Sequence, residues 1–416
     1  MPWYQIFQDG PEYEARKRKG NFVPPNITIK DLHEAVPPRL FERSTTTSLI
    51  YIARHLAFTY AFYVLATHLD TLYPLLGLAK DDLAWRLLRP ALWLQYWGWQ
   101  GITFAGIWCL GHEAGHNALS SSSVVNAILG SVLHTFILTP YYAWRATHRT
   151  HHKSTNNLER DETYHPPSRK DLKLADGEVM VRMDYAEILE ETPAFTLFKL
   201  CIRQFFGFQL YLLHNRKGNP KYPPGTSHYR PSSLLFRSEE RRSIAASNVM
   251  ILSMLYLLVL YARKFGWSSL SAYYLMPWLF AHNWIVTFTY LQHSDPTVPY
   301  YRKDQWTFAR GALATVDRPL FGWVGRFFFH NISSDHVAHH FFVSVPFYHL
   351  PEVTEAIKPV LGDYYNYDST PVIHALWRSF TQCTFIEDEG DIVFFKNQYG
   401  ESVIRDVGVE KLKKRL

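Results

Sequence analysis

The chain has 416 residues, of which 47% are hydrophobic and 16% aromatic, and its formal net charge is +6. The positive residues do not form a basic tract interleaved with base-stacking aromatics, so we expect a basic membrane face and no nucleic-acid partner. The three cysteines, Cys109, Cys201 and Cys383, are too few and too scattered for a disulfide framework or a cysteine metal site. The unusual feature is the presence of 20 histidines.

The first segment, residues 1–45, is charged and punctuated by proline, with no apolar run. We therefore expect no cleavable secretory signal and predict that this segment lies in the cytosol. Four later stretches reach the length that a bilayer-crossing helix needs, about 20 apolar residues. They are residues 56–78, 91–110, 244–262 and 270–291. Polar side chains within two of them, such as His68 and His282, would need partners inside a helix bundle.

Three further apolar stretches are shorter or are interrupted by polar residues, namely 124–140, 195–213 and 320–329. We interpret them as interfacial or half-buried helices, with a soluble core helix as the alternative. The sequence therefore predicts an all-α integral membrane protein with four transmembrane helices in two hairpins, interfacial helices and a cytosolic helical cap. We predict three parts, which are a cytosolic N-terminal segment (1–45), a membrane domain (46–380) and a cytosolic C-terminal tail (381–416).

Basic residues indicate how the chain is oriented in the membrane. The stretch between the second and third predicted spans is rich in Lys and Arg, and Arg237, Arg241 and Arg242 directly precede the third span. Positive residues favour the cytosolic side, so we place this stretch and both termini there. Lys413 and Lys414 resemble the dilysine retrieval signal of endoplasmic reticulum membrane proteins, with a solvated basic tail as the alternative. The predicted location is the endoplasmic reticulum membrane, with several passes through it.

Eight of the 20 histidines lie in three short motifs, each just beyond an apolar segment on the predicted cytosolic side. The motifs are H-x-x-x-H at His112 and His116, H-x-x-H-H at His148, His151 and His152, and H-x-x-H-H at His336, His339 and His340. Residues three or four apart share one helix face and can reach one metal, whereas the adjacent pair of a motif diverges and can serve two. Neutral imidazole is a good ligand for iron. For any single motif, the alternative is a solvated helix end that is rich in histidine.

Other residues near the motifs are candidates for supporting roles. His293 ends the fourth predicted span and is predicted as a ninth ligand, although a lone histidine is usually just a satisfied polar residue. Thr289, one turn earlier, could hold a metal-bound water. Carboxylates at the motifs are expected to accept the second N–H of the imidazoles, with a solvated acid or helix cap as the alternative; they are Glu113, Asp161 and Asp335. Two aromatic residues just before the second motif, Trp144 and Tyr141, are candidates for lining a substrate tunnel, with anchoring of the chain at the membrane interface as the alternative.

Together, the three motifs at these intervals resemble those of the membrane fatty acid desaturase and hydroxylase superfamily. Further strings resemble the delta-12 and omega-3 desaturases, and the resemblance covers about residues 25–400. These strings are Ile29-Lys30-Asp31-Leu32, Ala35-Val36-Pro37-Pro38, Phe41-Glu42-Arg43-Ser44, Tyr290-Leu291-Gln292-His293-Ser294-Asp295-Pro296, Gly311-Ala312-Leu313-Ala314-Thr315-Val316-Asp317-Arg318 and Ile386-Glu387-Asp388-Glu389-Gly390. The string Asn157-Leu158-Glu159-Arg160-Asp161-Glu162-Thr163 resembles fungal members, so within the superfamily the chain resembles the fungal delta-12 (oleate) desaturases.

The resemblance implies an O2-dependent enzyme that holds two iron ions with the nine histidines and inserts a cis double bond at the delta-12 position of an oleoyl lipid. The implied partners are the fatty acyl lipid, the lipid bilayer and cytochrome b5, which receives electrons from NADH through its reductase. A separate cytochrome b5 is expected because no His-Pro-Gly-Gly haem-binding string occurs in the chain. A homodimer is a further prediction.

One departure from the family pattern leaves the reaction outcome open. Typical delta-12 desaturases have cysteine where Ala114 stands, beside the metal ligands, so regioselectivity is in doubt while the ligands are intact. A divergent hydroxylase, conjugase or acetylenase would share every ligand. Two alternatives come from other classes. The string His112-Glu113-Ala114-Gly115-His116 also matches the H-E-x-x-H motif of zinc proteases, with Glu113 as general base, and a metal transporter would place its ligands near the bilayer midplane.

Overall fold

The computed structural model describes residues 6–177 and 179–406. The predicted retrieval signal at Lys413 and Lys414 lies outside these residues. The described chain is mostly helical, as predicted. The helices in chain order are α1 (Pro11–Lys19), α2 (Ile29–Ala35), α3 (Thr45–Thr67), α4 (Leu83–Gly115), α5 (Ser123–Phe136), α6 (Tyr141–Ser154), α7 (Arg182–Leu189), α8 (Pro193–His214), α9 (Arg241–Phe265), α10 (Trp267–Leu270), α11 (Met276–His293), α12 (Phe308–Leu313), α13 (Trp323–Phe328), α14 (His336–Phe341), α15 (Leu350–Leu361) and α16 (Val372–Gln382).

Helix α3 shows where the first predicted span differs from the structure. The helix begins after Ser44, whose hydroxyl accepts a hydrogen bond from the Thr47 amide and so caps the N-terminus. It ends 23 residues later, and the chain continues through short 3-10 turns that contain Pro74 and the left-handed Gly77. Proline and a left-handed glycine do not continue an α-helix. The predicted bounds 56–78 are therefore wrong, because an apolar count overlooks this break.

Two helical segments are long and apolar enough to cross a membrane, Thr45–Thr71 and Ser238–Phe265. A third candidate is the pair of α5 and α6, whose axes are bent by 108°. The predicted spans 91–110 and 270–291 fall in α4 and in the α10–α11 segment, which bury polar residues such as Gln100 and His282. Length and composition of the described residues thus show two or three spans, and the four-span arrangement stays a prediction.

Helix α4 lies at the centre of the bundle and packs against α3, α5 and α11. All of residues 100–115 are buried. Glycines in α4 allow neighbouring segments to approach its backbone closely. A Cβ atom on Gly106 would lie 2.2 Å from the Phe328 carbonyl oxygen, and one on Gly111 would lie 2.1 Å from the His134 ring. This packing fixes the C-terminal end of α4, which carries the first histidine motif.

The three stretches predicted as interfacial or half-buried helices take different forms in the structure. Residues 195–213 form most of α8, which packs along α11 and leaves Leu197 and Phe198 exposed. Residues 124–140 contain α5, which packs against α4. Residues 320–329 contain only the six-residue helix α13. A helix of this length is too short to lie along a membrane surface as an independent element.

Both ends of the described chain pack onto the part of the molecule that carries the histidines. Two small sheets join distant segments, β1 (Asn21–Phe22) parallel to β4 (Arg405–Asp406) and β2 (Tyr300–Tyr301) antiparallel to β3 (Ile392–Val393). A buried charge network also joins α1 to the region after α11. Its members are Arg16, Asp295, Arg318, Asp368 and Arg378.

Candidate metal centre and its cavity

The C-terminal end of α4 and helix α6 supply the first four histidines of the site. The Nε2 atoms of His112 and His116, one helical turn apart, are separated by 3.3 Å. On α6, the Nε2 of His148 lies 2.8 Å from that of His112 and 3.0 Å from that of His152. Two imidazole nitrogens bound at right angles to one ion, each about 2.1 Å from it, would lie about 3 Å apart. The nitrogens of these histidines are therefore spaced as ligands of one ion would be.

Helix α14 adds a fifth histidine to this set. The ring centroid of His339 lies 4.8 Å from each of the rings of His112, His116 and His152. One ligand atom from each of the five residues lies within 4.8 Å of the other four. We call this set the five-histidine group, and its members are His112, His116, His148, His152 and His339.

A second set of histidines lies directly beside the first. The Nε2 of His336 is 3.0 Å from that of His293, at the end of α11, and 3.0 Å from that of His340. The ring of His151 is 4.6 Å from the ring of His293. We call this set the four-histidine group, and its members are His151, His293, His336 and His340. The two groups are in contact, since the rings of His152 and His340 stack at 4.1 Å.

Adjacent histidines of each H-x-x-H-H motif contribute to different groups. His151 joins the four-histidine group while His152 joins the five-histidine group, and His340 and His339 divide in the same way. Successive side chains on a helix point about 100° apart, so neighbours in sequence cannot face one point. The structure thus brings all nine predicted histidines together, in two adjoining sets.

The buried imidazoles are suited to bind metal as neutral donors. Burial lowers the pKa of His339 to about 3, and burial together with neighbouring histidines holds the pKa values of His336 and His340 well below the usual range. Neither ring nitrogen of His339 has a hydrogen-bond partner among the described residues. Nine imidazoles exceed the four ligands that one zinc takes, and nitrogen donors suit iron. The donor set therefore fits a pair of transition-metal ions.

Polar side chains hold several of these rings from the side opposite the Nε2 atoms. Glu113 places a carboxylate oxygen 3.1 Å from the Nδ1 of His112, and Asp161 places both oxygens 3.0 Å from the Nδ1 of His151. A carboxylate that accepts the Nδ1–H fixes the tautomer in which Nε2 is free to bind metal. Glu113 and Asp161 thus lie where the sequence predicted supporting acids.

A cavity of about 780 Å³ adjoins both groups. Histidines from the two groups form one part of its wall, namely His112, His148, His151, His293 and His336. Next to them the wall is aromatic and apolar, with Trp108, Trp144 and Phe208. The predicted Thr289 also lines the cavity, although its hydroxyl donates to the Ile285 carbonyl at 2.7 Å. An apolar cavity that meets metal-binding residues can hold a hydrocarbon chain beside a metal.

A family model described as fatty acid desaturase matches residues 91–371. The chain belongs to the fatty acid desaturase family. Its relatives include the Delta(12) fatty acid desaturase of Mortierella isabellina, 38% identical over 90% of this chain and 92% of the relative. The endoplasmic reticulum omega-6 fatty acid desaturase of Brassica juncea is 37% identical over 91% and 92%, respectively. The oleate hydroxylase of Claviceps purpurea is 34% identical over 91% of this chain and 82% of its own length.

Membership of the desaturase family, an oxidoreductase family, argues against the protease and transporter alternatives, and the geometry of Glu113 agrees. The general base of a zinc protease must face water on the metal. Here the Glu113 carboxylate lies on the Nδ1 side of His112, and it is also 3.9 Å from the Nδ1 of His339. Glu113 is therefore placed to orient ligands.

Two of the supporting roles that were predicted from the sequence are wrong. Asp335 lies at the start of α14 and pairs with Arg326 of α13 at 2.6 Å, and it makes no hydrogen bond to a histidine ring within the described residues. Tyr141 does not line the cavity and is buried, with its ring against Gly130. Trp144, one turn later on the same helix, does line it.

One supporting residue was missed by the sequence analysis. The Thr155 hydroxyl lies 3.1 Å from the Nδ1 of His340 and donates to the His151 carbonyl at 2.8 Å. A threonine four residues after His151 shares its helix face, but its partner His340 is distant in sequence. The departure at Ala114 lies in the same region, fully buried next to ligands of the five-histidine group.

Proposed function

We propose that the chain inserts a cis double bond at the delta-12 position of an oleoyl lipid, in an O2-dependent reaction that gives a linoleoyl lipid. The observation that carries this proposal is the meeting of two histidine groups at one apolar cavity. The similarity to relatives named Delta(12) desaturases supports the position of the double bond.

We propose two iron ions as the cofactor, one held by the five-histidine group and one by the four-histidine group. When bound, such a pair supplies the oxidation of an unactivated C–H bond by dioxygen, which side chains alone cannot perform. Glu113, Asp161 and Thr155 orient the rings that hold the ions.

The protein's own contribution is to position the acyl chain and exclude water. In this proposal the chain lies against Trp108, Trp144 and Phe208, which line the cavity next to His112 and His148. Apolar contact removes hydrocarbon from water. Holding one carbon pair at a fixed distance from the histidines accounts for the choice of position, because orientation alone accelerates a reaction greatly.

We further propose the cellular setting. Four spans, α3, α4, α9 and the α10–α11 segment, place the histidines on the cytosolic side of the endoplasmic reticulum membrane, with both termini in the cytosol. Residues 46–380 are the membrane domain, and 1–45 and 381–416 are its cytosolic ends. The 33 residues of α4 would extend about 50 Å, which supports its crossing a bilayer. Electrons would come from NADH through cytochrome b5 reductase and cytochrome b5, and a homodimer stays a prediction.

Expression in a yeast that makes no polyunsaturated fatty acids tests the reaction. We expect a linoleate peak in the fatty acid methyl esters of cells that express the chain. His336→Ala, in the four-histidine group, should abolish that peak while the protein remains in the membrane. No new fatty acid, with the unaltered protein present in the membrane fraction, would contradict the proposal.

A second candidate is hydroxylation of the same oleoyl chain. The similarity to the oleate hydroxylases of Claviceps purpurea and Ricinus communis supports it, as does the departure at Ala114. The same yeast experiment separates the two reactions, since a hydroxy fatty acid in place of linoleate would establish the hydroxylase. A conjugated or acetylenic product would identify the other divergent activities.

A further inference from the structure

A second cavity, of about 470 Å³, lies between α8, α9 and α11. Its wall includes Gln209 and Leu213 of α8, Asn248 and Leu252 of α9, and Trp278 of α11. We call it the α8–α9 cavity. It shares no described lining residue with the cavity beside the histidines. Its volume is typical of a pocket for one small molecule, so it is a candidate binding site separate from the metal centre.

The α8–α9 cavity adjoins the lipid-facing surface of α9. This helix belongs to a segment long and apolar enough to cross a membrane, and two of its lining side chains, Leu252 and Leu255, are exposed. Asn248 lies about 10 Å along the helix from Arg241, its first residue, and Leu255 lies about 10 Å further on. The polar part of the wall is therefore nearer the membrane surface than the leucines, as a membrane lipid with a polar end would require.

Two buried polar atoms on this wall are unpaired. The Nδ2 of Asn248 donates to the Tyr229 carbonyl at 2.7 Å, while its Oδ1 is buried and has no hydrogen-bond partner among the described residues. The Nε2 of Gln209 is also buried and finds no partner in residues 6–177 or 179–406. A buried donor or acceptor that stays unpaired is destabilising. The two side chains thus offer one free acceptor and one free donor to an occupant of the cavity.

The loop between α8 and α9 brings these two amides to the same level of the bundle. The His228 amide donates to the Leu212 carbonyl of α8 at 2.9 Å. The next residue, Tyr229, lines the cavity and accepts the hydrogen bond from Asn248 on α9. Gln209 lies one turn before Leu212 on α8. The polar atoms therefore converge on one end of the cavity.

The rest of the wall restricts the chemistry of an occupant. No described lining residue of the α8–α9 cavity is Asp, Glu, Lys, Arg or His, so a charged head group would be buried without a counter-charge. A hydroxyl group is both a donor and an acceptor and matches the two free amide atoms. Trp278 donates its indole N–H to the Ile137 carbonyl at 2.9 Å, which leaves an apolar ring surface on the wall.

We propose that the α8–α9 cavity binds a sterol. The sterol hydroxyl donates to the Oδ1 of Asn248 and accepts from the Nε2 of Gln209, and the fused rings lie against Leu252 and Trp278. A rigid ring system loses little conformational freedom on binding, whereas a lipid with two flexible acyl chains loses much more. The site lies apart from the histidine groups and does not depend on the reaction that they support.

Binding of tritiated cholesterol to the purified full-length protein in detergent tests this proposal. Gln209→Met removes the free donor at nearly constant side-chain volume, and Leu252→Trp fills the cavity. Gln95→Met and Leu257→Trp are the matched controls, because both residues are exposed and lie outside the cavity wall. The thermal unfolding midpoint establishes that each variant is folded, and Leu255→Trp replaces Leu252→Trp if the latter is not.

We expect saturable binding to the unaltered protein and to both controls. Gln209→Met should lower the affinity about fivefold, as when one neutral hydrogen bond is lost, and Leu252→Trp should abolish binding. Cholesterol methyl ether, which cannot donate to Asn248, should bind the unaltered protein about fivefold more weakly than cholesterol. A photoreactive sterol should label peptides of α8 or α9 that line the cavity.

Three results would overturn the proposal. The first is binding that is not saturable or that Leu252→Trp leaves unchanged. The second is equal affinity for cholesterol and its methyl ether. The third is displacement of cholesterol by an equal or lower concentration of dioleoylglycerol, which would assign the cavity to a lipid with two acyl chains.

Discussion

Asp161 holds His151 through both carboxylate oxygens, each 3.0 Å from the Nδ1 atom. The carboxylate also accepts hydrogen bonds from the backbone amides of Asn156 and Thr163, at 3.2 and 3.1 Å. The loop that follows α6 is therefore tied to the ring. A histidine of the four-histidine group is oriented by an acid ten residues further along the chain.

Asp161→Asn should weaken metal retention and desaturation together. An amide cannot stabilise the ring as a carboxylate does, and loss of such a partner typically lowers metal affinity or activity about 10- to 100-fold. Iron per chain after dialysis against a chelator, together with the linoleate yield, measures the effect. Asp304→Asn, at an exposed position, is the control. Unchanged iron retention in Asp161→Asn would show that the contact does not support the site.

Glu113→Gln separates a supporting acid from a general base. Because Glu113 lies on the Nδ1 side of His112, we expect desaturation to fall about 10- to 100-fold and remain measurable. The product yield in yeast, normalised to protein in the membrane, gives the result. Complete loss of linoleate with full iron content would instead assign Glu113 a direct role in the reaction.

Arg318→Gln should destabilise the fold. Arg318 is buried and contacts Asp368 at 2.6 Å, Asp295 at 2.9 Å and the Leu291 carbonyl at 2.9 Å. Removing one partner of a buried ion pair typically costs about 3–5 kcal/mol. Lys358→Gln removes an exposed pair with Glu355 and should cost less than about 1 kcal/mol. Thermal unfolding in detergent compares the two, and equal midpoints would refute a structural role for the network.

The two ion pairs that Glu387 forms with Arg169 and Lys396 should make the stability of the folded state depend on pH. Burial alone would raise the pKa of Glu387, but hydrogen bonds from the two cations lower it to about 2. A carboxyl group whose pKa is lowered on folding stabilises the folded state at pH values above the pKa that the same group has in the unfolded chain, about 4.3. That contribution is lost as the pH falls from about 4 towards 2. Glu387→Gln should therefore be less stable than the unaltered protein at pH 7, and the difference in unfolding midpoint should shrink at pH 3. A difference that is constant with pH would contradict this.

The sequence predicted eight of the nine histidines because their spacing is local, and it predicted His293 from its position at the end of the fourth predicted span. Residues three and four apart meet on a helix wherever the helix lies, so the division of His151 from His152 followed from helix geometry. Glu113 and Asp161 were also within reach of a sequence argument, since they lie close to the motifs they support.

Features that depend on distant segments could not be predicted in this way. Thr155 contacts His340 across 185 positions. The guanidinium carbon of Arg203 in α8 lies 4.5 Å from the ring centre of Tyr290 in α11 and 4.6 Å from that of Phe380 in α16. Asp335 was misassigned because proximity in sequence to His336 does not reveal the competing Arg326. The bounds of the first span were wrong because hydrophobicity averages over the turn at Pro74.

The metal content of the purified full-length chain tests the central claim most directly. We predict two iron ions per chain, measured by elemental analysis, with loss of metal when His148→Ala alters the five-histidine group and again when His293→Ala alters the four-histidine group. One zinc ion per chain, or iron content that is unchanged by both substitutions, would contradict the account.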